Sequence, residues 1–194
     1  MKFRLISRVL GIGLIAFSFL QLTPIIVSII YSEDNIAAFA YSFLITLAFG
    51  SFLYLVNFER KYEGIRVKEG FLLTVLLWLF FTIFATLPLI FGTKSGLTIV
   101  SAYFEATSGL TTTGATIFSD LSGEYYSILF YRGLLQWIGG LGIIVLAIAL
   151  MPLLGIGGMQ LYRGETQGPI NQSKLRPKIA ETAMVLVYIY LIPV

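Results

Sequence analysis

The sequence predicts an all-α membrane protein with a re-entrant loop, and three observations carry that expectation. Of its 194 residues 57% are hydrophobic and only 12% are charged, where soluble domains carry about a quarter charged residues. Apolar runs at 9–31, 36–58, 70–91 and 126–154 each reach the roughly 20 residues that a helix rising about 1.5 Å per residue needs to cross a bilayer. Between the third and fourth runs lies a shorter segment, 97–116, LTIVSAYFEATSGLTTTGAT, amphipathic at its start and polar at its end.

Composition also excludes chemistry. The chain has no cysteine and no histidine, so it offers no thiol nucleophile, no disulfide, no imidazole base and no ordinary zinc site. Its formal net charge is +3. The placement of the basic residues is more informative than their sum.

Lys2, Arg4 and Arg8 open the chain, and the run 9–31 follows. A signal peptide is the rival reading. The apolar core is longer than the usual 7–15 residues or so and no convincing A-x-A site follows, which favours a retained helix. Pro24 lies inside it, as a kink or as a proline tolerated in a membrane helix. Ser32, Glu33, Asp34 and Asn35 make a tight polar turn without lysine or arginine, and 36–58 is the second span. The loop 59–69 carries Arg60, Lys61, Arg66 and Lys68. The third span, 70–91, is dense in aromatics and ends around Leu87 and Pro88. Lys94 is the only basic residue between the third span and the fourth, 126–154. A loop at 155–179 holds Arg163, Lys174, Arg176 and Lys178, and 180–194 opens a further apolar run.

Three basic clusters therefore fall at the N-terminus, at 59–69 and at 155–178. The positive-inside rule makes them cytoplasmic, with 32–35 and 92–125 external. An even number of crossings must separate the clusters, so 97–116 enters and leaves from the external side. As a full span it would put Glu105 and six hydroxyl residues between Thr107 and Thr116 against lipid, which is costly. Irregular backbone at membrane depth persists only where protein buries it or where it lines a water-filled cavity. A helix over 98–108 followed by a Thr-Gly run thus reads as a pore loop. A threonine-rich external connection is the reading the motif alone would allow.

A permeating cation needs oxygens in place of its hydration shell, and extended backbone can supply them as rows of carbonyls. Gly114 fits such a row because it lacks a Cβ. The hydroxyls of Thr111, Thr112 and Thr113 add ligands or ties. The C-terminal end of the preceding helix contributes partial negative charge. Glu105 and Arg132 are ionisable groups at membrane depth, where pairing or function is expected. They are predicted to pair and to brace the loop from behind. Gly139, Gly140 and Gly142 suit close helix packing, or a bend beside an inner pore. Gly155, Gly157 and Gly158 form a hinge-like loop without a phosphate-binding motif. The basic loop after them docks a soluble partner or simply holds topology.

Three stretches carry a resemblance: FEATSGLTTTGAT at 104–116, FYRGLLQWIGGLGIIVLAIALMPLLGIGGMQLYR at 130–163, and KLRPKIAETA at 174–183. They are similar to the N-terminal portion of the membrane subunits of bacterial Trk potassium-uptake systems, in the Trk/Ktr/HKT superfamily, and the likeness runs over nearly the whole chain. The resemblance implies two leading helices and then four helix–pore loop–helix repeats about a pseudo-fourfold axis. On that scheme 1–58 is the leading pair, 59–69 a cytoplasmic loop, 70–154 the first repeat, 155–179 a second cytoplasmic loop, and 180–194 the unfinished first helix of the second repeat. The filter position falls on Thr111, Thr112, Thr113 and Gly114, with potassium as the transported ion and Glu105 and Arg132 as filter support. No cofactor is assigned to this chain. The implied partners are membrane lipid, a cytosolic TrkA-type nucleotide-binding regulatory subunit and, when complete, a second copy in a homodimer. No nucleic acid is implied.

The expectation is a multi-pass protein of the bacterial inner membrane with a cytoplasmic N-terminus, taking up potassium rather than acting as an enzyme. It represents the N-terminal part of a longer polypeptide, with one of four filter loops. Two alternatives stand beside it: a tetrameric channel with one pore loop per chain, and a non-conducting truncated remnant. A hydrolase built on Glu105 with a serine or threonine lacks a histidine and a carboxylate partner.

Overall fold

The computed structural model describes residues 3–56, 67–154 and 190, with side chains described at 4–56, 69–143 and 190. It is helical, with no strand among the described residues. The order is α1 (Phe3–Leu20), α2 (Thr23–Ile30), α3 (Ile36–Val56), α4 (Val67–Gly92), α5 (Ile99–Leu110) and α6 (Tyr126–Leu154). Among the described residues, Arg4–Ile30, Ile36–Val56 and Glu69–Gly92 are long and apolar enough to cross a membrane. At about 1.5 Å per residue, α6 with its 29 residues is long enough as well. The chain divides into two compact units, Met1–Gly139 and Gly140–Val194. Of the second, the described residues are the rest of α6 and Tyr190, whose hydroxyl occupies the place a Cβ on Gly140 would need. The hinge-like glycines at 155–158, the basic loop, the run 180–194 and most of 59–69 lie outside the described residues.

Proline sets the shape of the first span. Pro24 stands in the first turn of α2, where its missing N–H costs nothing locally. It leaves the carbonyl four residues back, that of Leu20, without its helical donor. The Thr23 hydroxyl donates to that carbonyl at 2.8 Å, and α1 ends there. Pro88 does the same inside α4, and the carbonyl it deprives is that of Phe84. Here the donor comes from the break between α1 and α2. Gln21 Nε2 donates to Phe84 O at 3.1 Å, while Gln21 Oε1 lies 3.2 Å from Thr46 Oγ1 of α3, which shares its one hydrogen with Ser42 O. The Tyr131 hydroxyl of α6 donates to the next carbonyl, Ala85 O, at 3.1 Å. Gln21, Thr46 and Tyr131 are all fully buried. Polar groups at that depth are tolerated because each has a partner.

Other buried hydroxyls look after themselves. Ser42, Thr46, Thr82 and Thr86 donate to carbonyls four residues earlier in their own helices, the usual solution for a hydroxyl in an apolar helix. Around this polar layer Leu14, Phe17, Phe39, Leu89, Ile128 and Leu135 form the core. Phe39 meets Tyr131 edge-on at 5.7 Å and Phe17 stacks on Phe81 at 5.0 Å.

At the opposite end of α2 the chain turns through Ser32, at φ 53°. Glu33 N donates to Ser28 O at 2.9 Å and Ser32 N to Ile29 O at 3.2 Å, a Schellman ending with serine in the left-handed position. The next residues meet the start of α6. Asn35 donates to Gly92 O at 3.2 Å and to Ser127 Oγ at 2.8 Å, and its own Oδ1 accepts from Ser28 Oγ at 2.8 Å. The turn thus ties the last residue of α4 to the first turn of α6.

Candidate functional site

The site is the segment that follows α5. Thr98 caps that helix, its Oγ1 accepting from Ser101 N at 3.3 Å. Ala102, Glu105, Ala106, Gly109 and Leu110 are buried, a spacing of three and four that puts small residues on one face. The small face permits a close approach to α6. A Cβ on Gly139 would strike the Leu110 carbonyl oxygen, so the last turn of α5 rests directly on α6 backbone.

The helix runs to Leu110, two residues past the 98–108 read from sequence, and Thr111 is its C-cap. Thr112 N then donates to Gly109 O at 2.9 Å and Thr113 N to Ser108 O at 3.0 Å. That pair of bonds is again a Schellman motif, and Thr112 occupies its left-handed residue with φ 58°. Glycine or asparagine usually stands there, and a β-branched residue at positive φ is an outlier. Gly114 follows at φ 74°. The four residues therefore form no straight row: Thr111 and Thr112 complete the helix end, Thr113 N and Gly114 N both point back to Ser108 O at 3.0 and 3.4 Å, and Gly114 turns left-handed again. The hydroxyls of Thr111 and Thr113 lie 2.8 Å apart, and Thr111 Oγ1 also donates to Thr107 O at 2.8 Å. Residues 111–117 are exposed.

Two side chains of α5 hold the returning strand. Ser108 Oγ donates to Ala115 O at 2.6 Å. Glu105 Oε1 accepts from Thr116 Oγ1 and from Ile117 N, both at 2.6 Å. Its other oxygen, Oε2, accepts from Arg132 Nε at 2.9 Å. The Glu105 side chain is 1% exposed and that of Arg132 13%, and Arg132 stacks over Phe118 at 5.4 Å. Charge-assisted bonds of this length are among the stronger ones. A carboxylate so surrounded fixes the position of the strand it holds.

The segment just before α6 is held in the same manner. Glu124 accepts from the backbone N–H groups of Lys94 and Ser95, each at 3.0 Å, and Lys94 Nζ lies 4.4 Å above the Tyr125 ring. Sequence reasoning singled out Glu105 and Arg132 but neither Glu124 nor Ser108, because a carboxylate or hydroxyl bound to backbone amides leaves no spacing signature.

With this geometry in hand, comparison with known proteins is informative. A family model described as "TrkH: Cation transport protein" matches residues 35–193. The Trk system potassium uptake protein TrkH of Escherichia coli (strain K12) is 48% identical over 192 residues, covering 99% of this chain and 40% of that protein. TrkG of the same strain is 38% identical over 185 residues, covering 94% of this chain and 38% of its own length. The crystal structure of the potassium transporter TrkH from Vibrio parahaemolyticus matches with a TM-score of 0.81 at 39% identity, over 98% of this chain and 37% of the other. The chain thus spans about 40% of the length of the curated relatives it matches.

Proposed function

The chain belongs to the TrkH family of cation transport proteins, and we propose that it takes part in potassium uptake across the bacterial inner membrane as part of the translocating subunit of a Trk-type system. The relatives carry that activity in their names. In this reading 70–154 is one helix–pore loop–helix repeat, and Thr111, Thr112, Thr113 and Gly114 contribute one of four filter segments. Carbonyls and hydroxyls replace part of the water shell of the ion, and the end of α5 adds partial negative charge. Glu105 and Arg132 support the filter and do not touch the ion; a guanidinium in the path would repel a cation.

The observation that carries the reading is the grip of Glu105. It holds Thr116 and Ile117 from behind, with Arg132 as its counter-charge, and leaves the oxygen-bearing run 111–117 exposed. The basic clusters put the N-terminus in the cytoplasm. A cytosolic TrkA-type nucleotide-binding subunit and a second copy in a homodimer are the partners of the complete assembly.

The test is rubidium uptake into potassium-starved bacteria that lack their own uptake systems and express the chain, with Gly114→Asp alongside. Uptake that Gly114→Asp abolishes supports an ion path through the loop. Uptake that survives Gly114→Asp overturns it.

A further inference from the structure

We infer that Glu33 is a positioning residue for the loop, acting from the turn between the two leading helices through the N-terminus of α6. The inference rests on the reading of 111–117 as an ion path.

A 29-residue helix begins at Tyr126 without a capping residue of its own. Tyr125 has no suitable oxygen, and the Glu124 carboxylate is engaged with Lys94 and Ser95. The first N–H groups of a helix need acceptors, and a carboxylate is the best placed by charge. Glu33 supplies both. Its Oε1 accepts from Tyr126 N at 2.6 Å and its Oε2 from Ser127 N at 3.1 Å, across 93 and 94 residues of sequence. Tyr31 stacks on Tyr126 with ring centroids 4.3 Å apart, and Asn35 holds Ser127 Oγ from the same turn. The left-handed Ser32 aims the turn at this helix end.

The consequence travels a short way. Arg132 lies less than two turns beyond Ser127 on the same helix. It pairs with Glu105, and Glu105 holds Thr116 and Ile117. A shift of the helix start moves the guanidinium, and the guanidinium sets the carboxylate that holds the strand. The leading pair thereby becomes part of the scaffold of the loop.

Amide hydrogen exchange read by NMR on the full 194-residue chain in lipid nanodiscs tests this. In Glu33→Ala the amides of Tyr126 and Ser127 are expected to exchange about tenfold faster, as local opening becomes easier. The amide of Ile117, which Glu33 does not touch, is expected to accelerate at least about threefold. Arg132→Ala calibrates the largest response at Ile117. An Ile117 rate unchanged in Glu33→Ala, with Tyr126 and Ser127 accelerated, overturns the inference and leaves Glu33 a local cap. If Glu33→Ala also loosens the amides of α3, Glu33→Gln is read instead. It keeps one neutral acceptor and should give a smaller, parallel acceleration at both places; acceleration at Tyr126 and Ser127 alone again overturns the inference. Potassium against sodium in the same spectra separates the underlying reading. Absence of any potassium effect on 111–117 counts against the ion path, whereas the Ile117 response to Glu33 decides the link.

Discussion

Replacing Thr112 by glycine should stabilise the chain and, on the proposed reading of 111–117 as an ion path, harm ion discrimination. Thr112 holds the left-handed position of the Schellman motif at φ 58°, and that conformation costs a non-glycine residue roughly 1–2 kcal/mol. Its side chain is exposed, so removing it forfeits little packing. Glycine relieves the strain but adds freedom to the unfolded chain, which takes back about 0.4–1 kcal/mol. The midpoints of the two ranges leave a net gain of ~0.8 kcal/mol, or about 2–3 °C in Tm for a chain of this size. Thr112→Ala keeps the Cβ and removes only the branch, so it should fall between the two. Thermal unfolding in one detergent measures the order, and rubidium uptake against competing sodium measures the cost. Strain of this kind is held where a loop must adopt one shape. Glycine lets 112–114 sample others, so discrimination should drop as stability rises. A Thr112→Gly chain no more stable than Thr112→Ala would refute the argument, because the left-handed residue would then carry no strain.

The remaining predictions concern the supports of the site. Glu105→Ala leaves Arg132 without its counter-charge and should cost about 3–5 kcal/mol; combined with Arg132→Ala, the loss should fall well short of the sum in a double-mutant cycle. Gly139→Ala drives a methyl into the Leu110 carbonyl and should lower stability by about 1–3 kcal/mol, read by thermal unfolding in detergent. Gln21→Leu strips Phe84 O of its donor and should cost roughly 1–3 kcal/mol. In a Pro88→Ala background, where a backbone N–H is restored at position 88, the same change should cost measurably less by denaturant unfolding.

Much of the architecture was legible because it depends on composition. The apolar runs at 36–58, 70–91 and 126–154 correspond to α3, α4 and α6 with ends moved by a few residues, as helix ends commonly are. Pro24 left open whether the first run kinks or continues as one helix, and the structure divides it into α1 and α2. What escaped notice depends on distance or on a single dihedral. Nothing in Thr-Thr-Thr-Gly says that the second threonine, rather than the glycine two places on, turns left-handed first. That follows from where α5 ends, and α5 ends where the Leu110 carbonyl meets α6 at Gly139. Glu33 read as part of a polar turn, since its partners lie 93 and 94 residues away. Glu105 and Arg132 stood out because burial of a charge in an apolar chain is conspicuous.

Gln21 makes the first span depend on the third. A chain enters the membrane from its N-terminus, so α1, α2 and α3 are in place before α4 is made. Until α4 packs against them, the Gln21 amide has Thr46 beside its oxygen but no Phe84 carbonyl for its N–H. In hydrocarbon such a donor favours whichever neighbour offers an acceptor. Most arriving helices offer none, because their carbonyls are already bonded internally. The helix that follows brings Pro88, and with it a bare carbonyl at Phe84. The break in the first span and the proline in the third thus complete each other, and loss of Gln21 should be read first as lower yield of folded protein in the membrane.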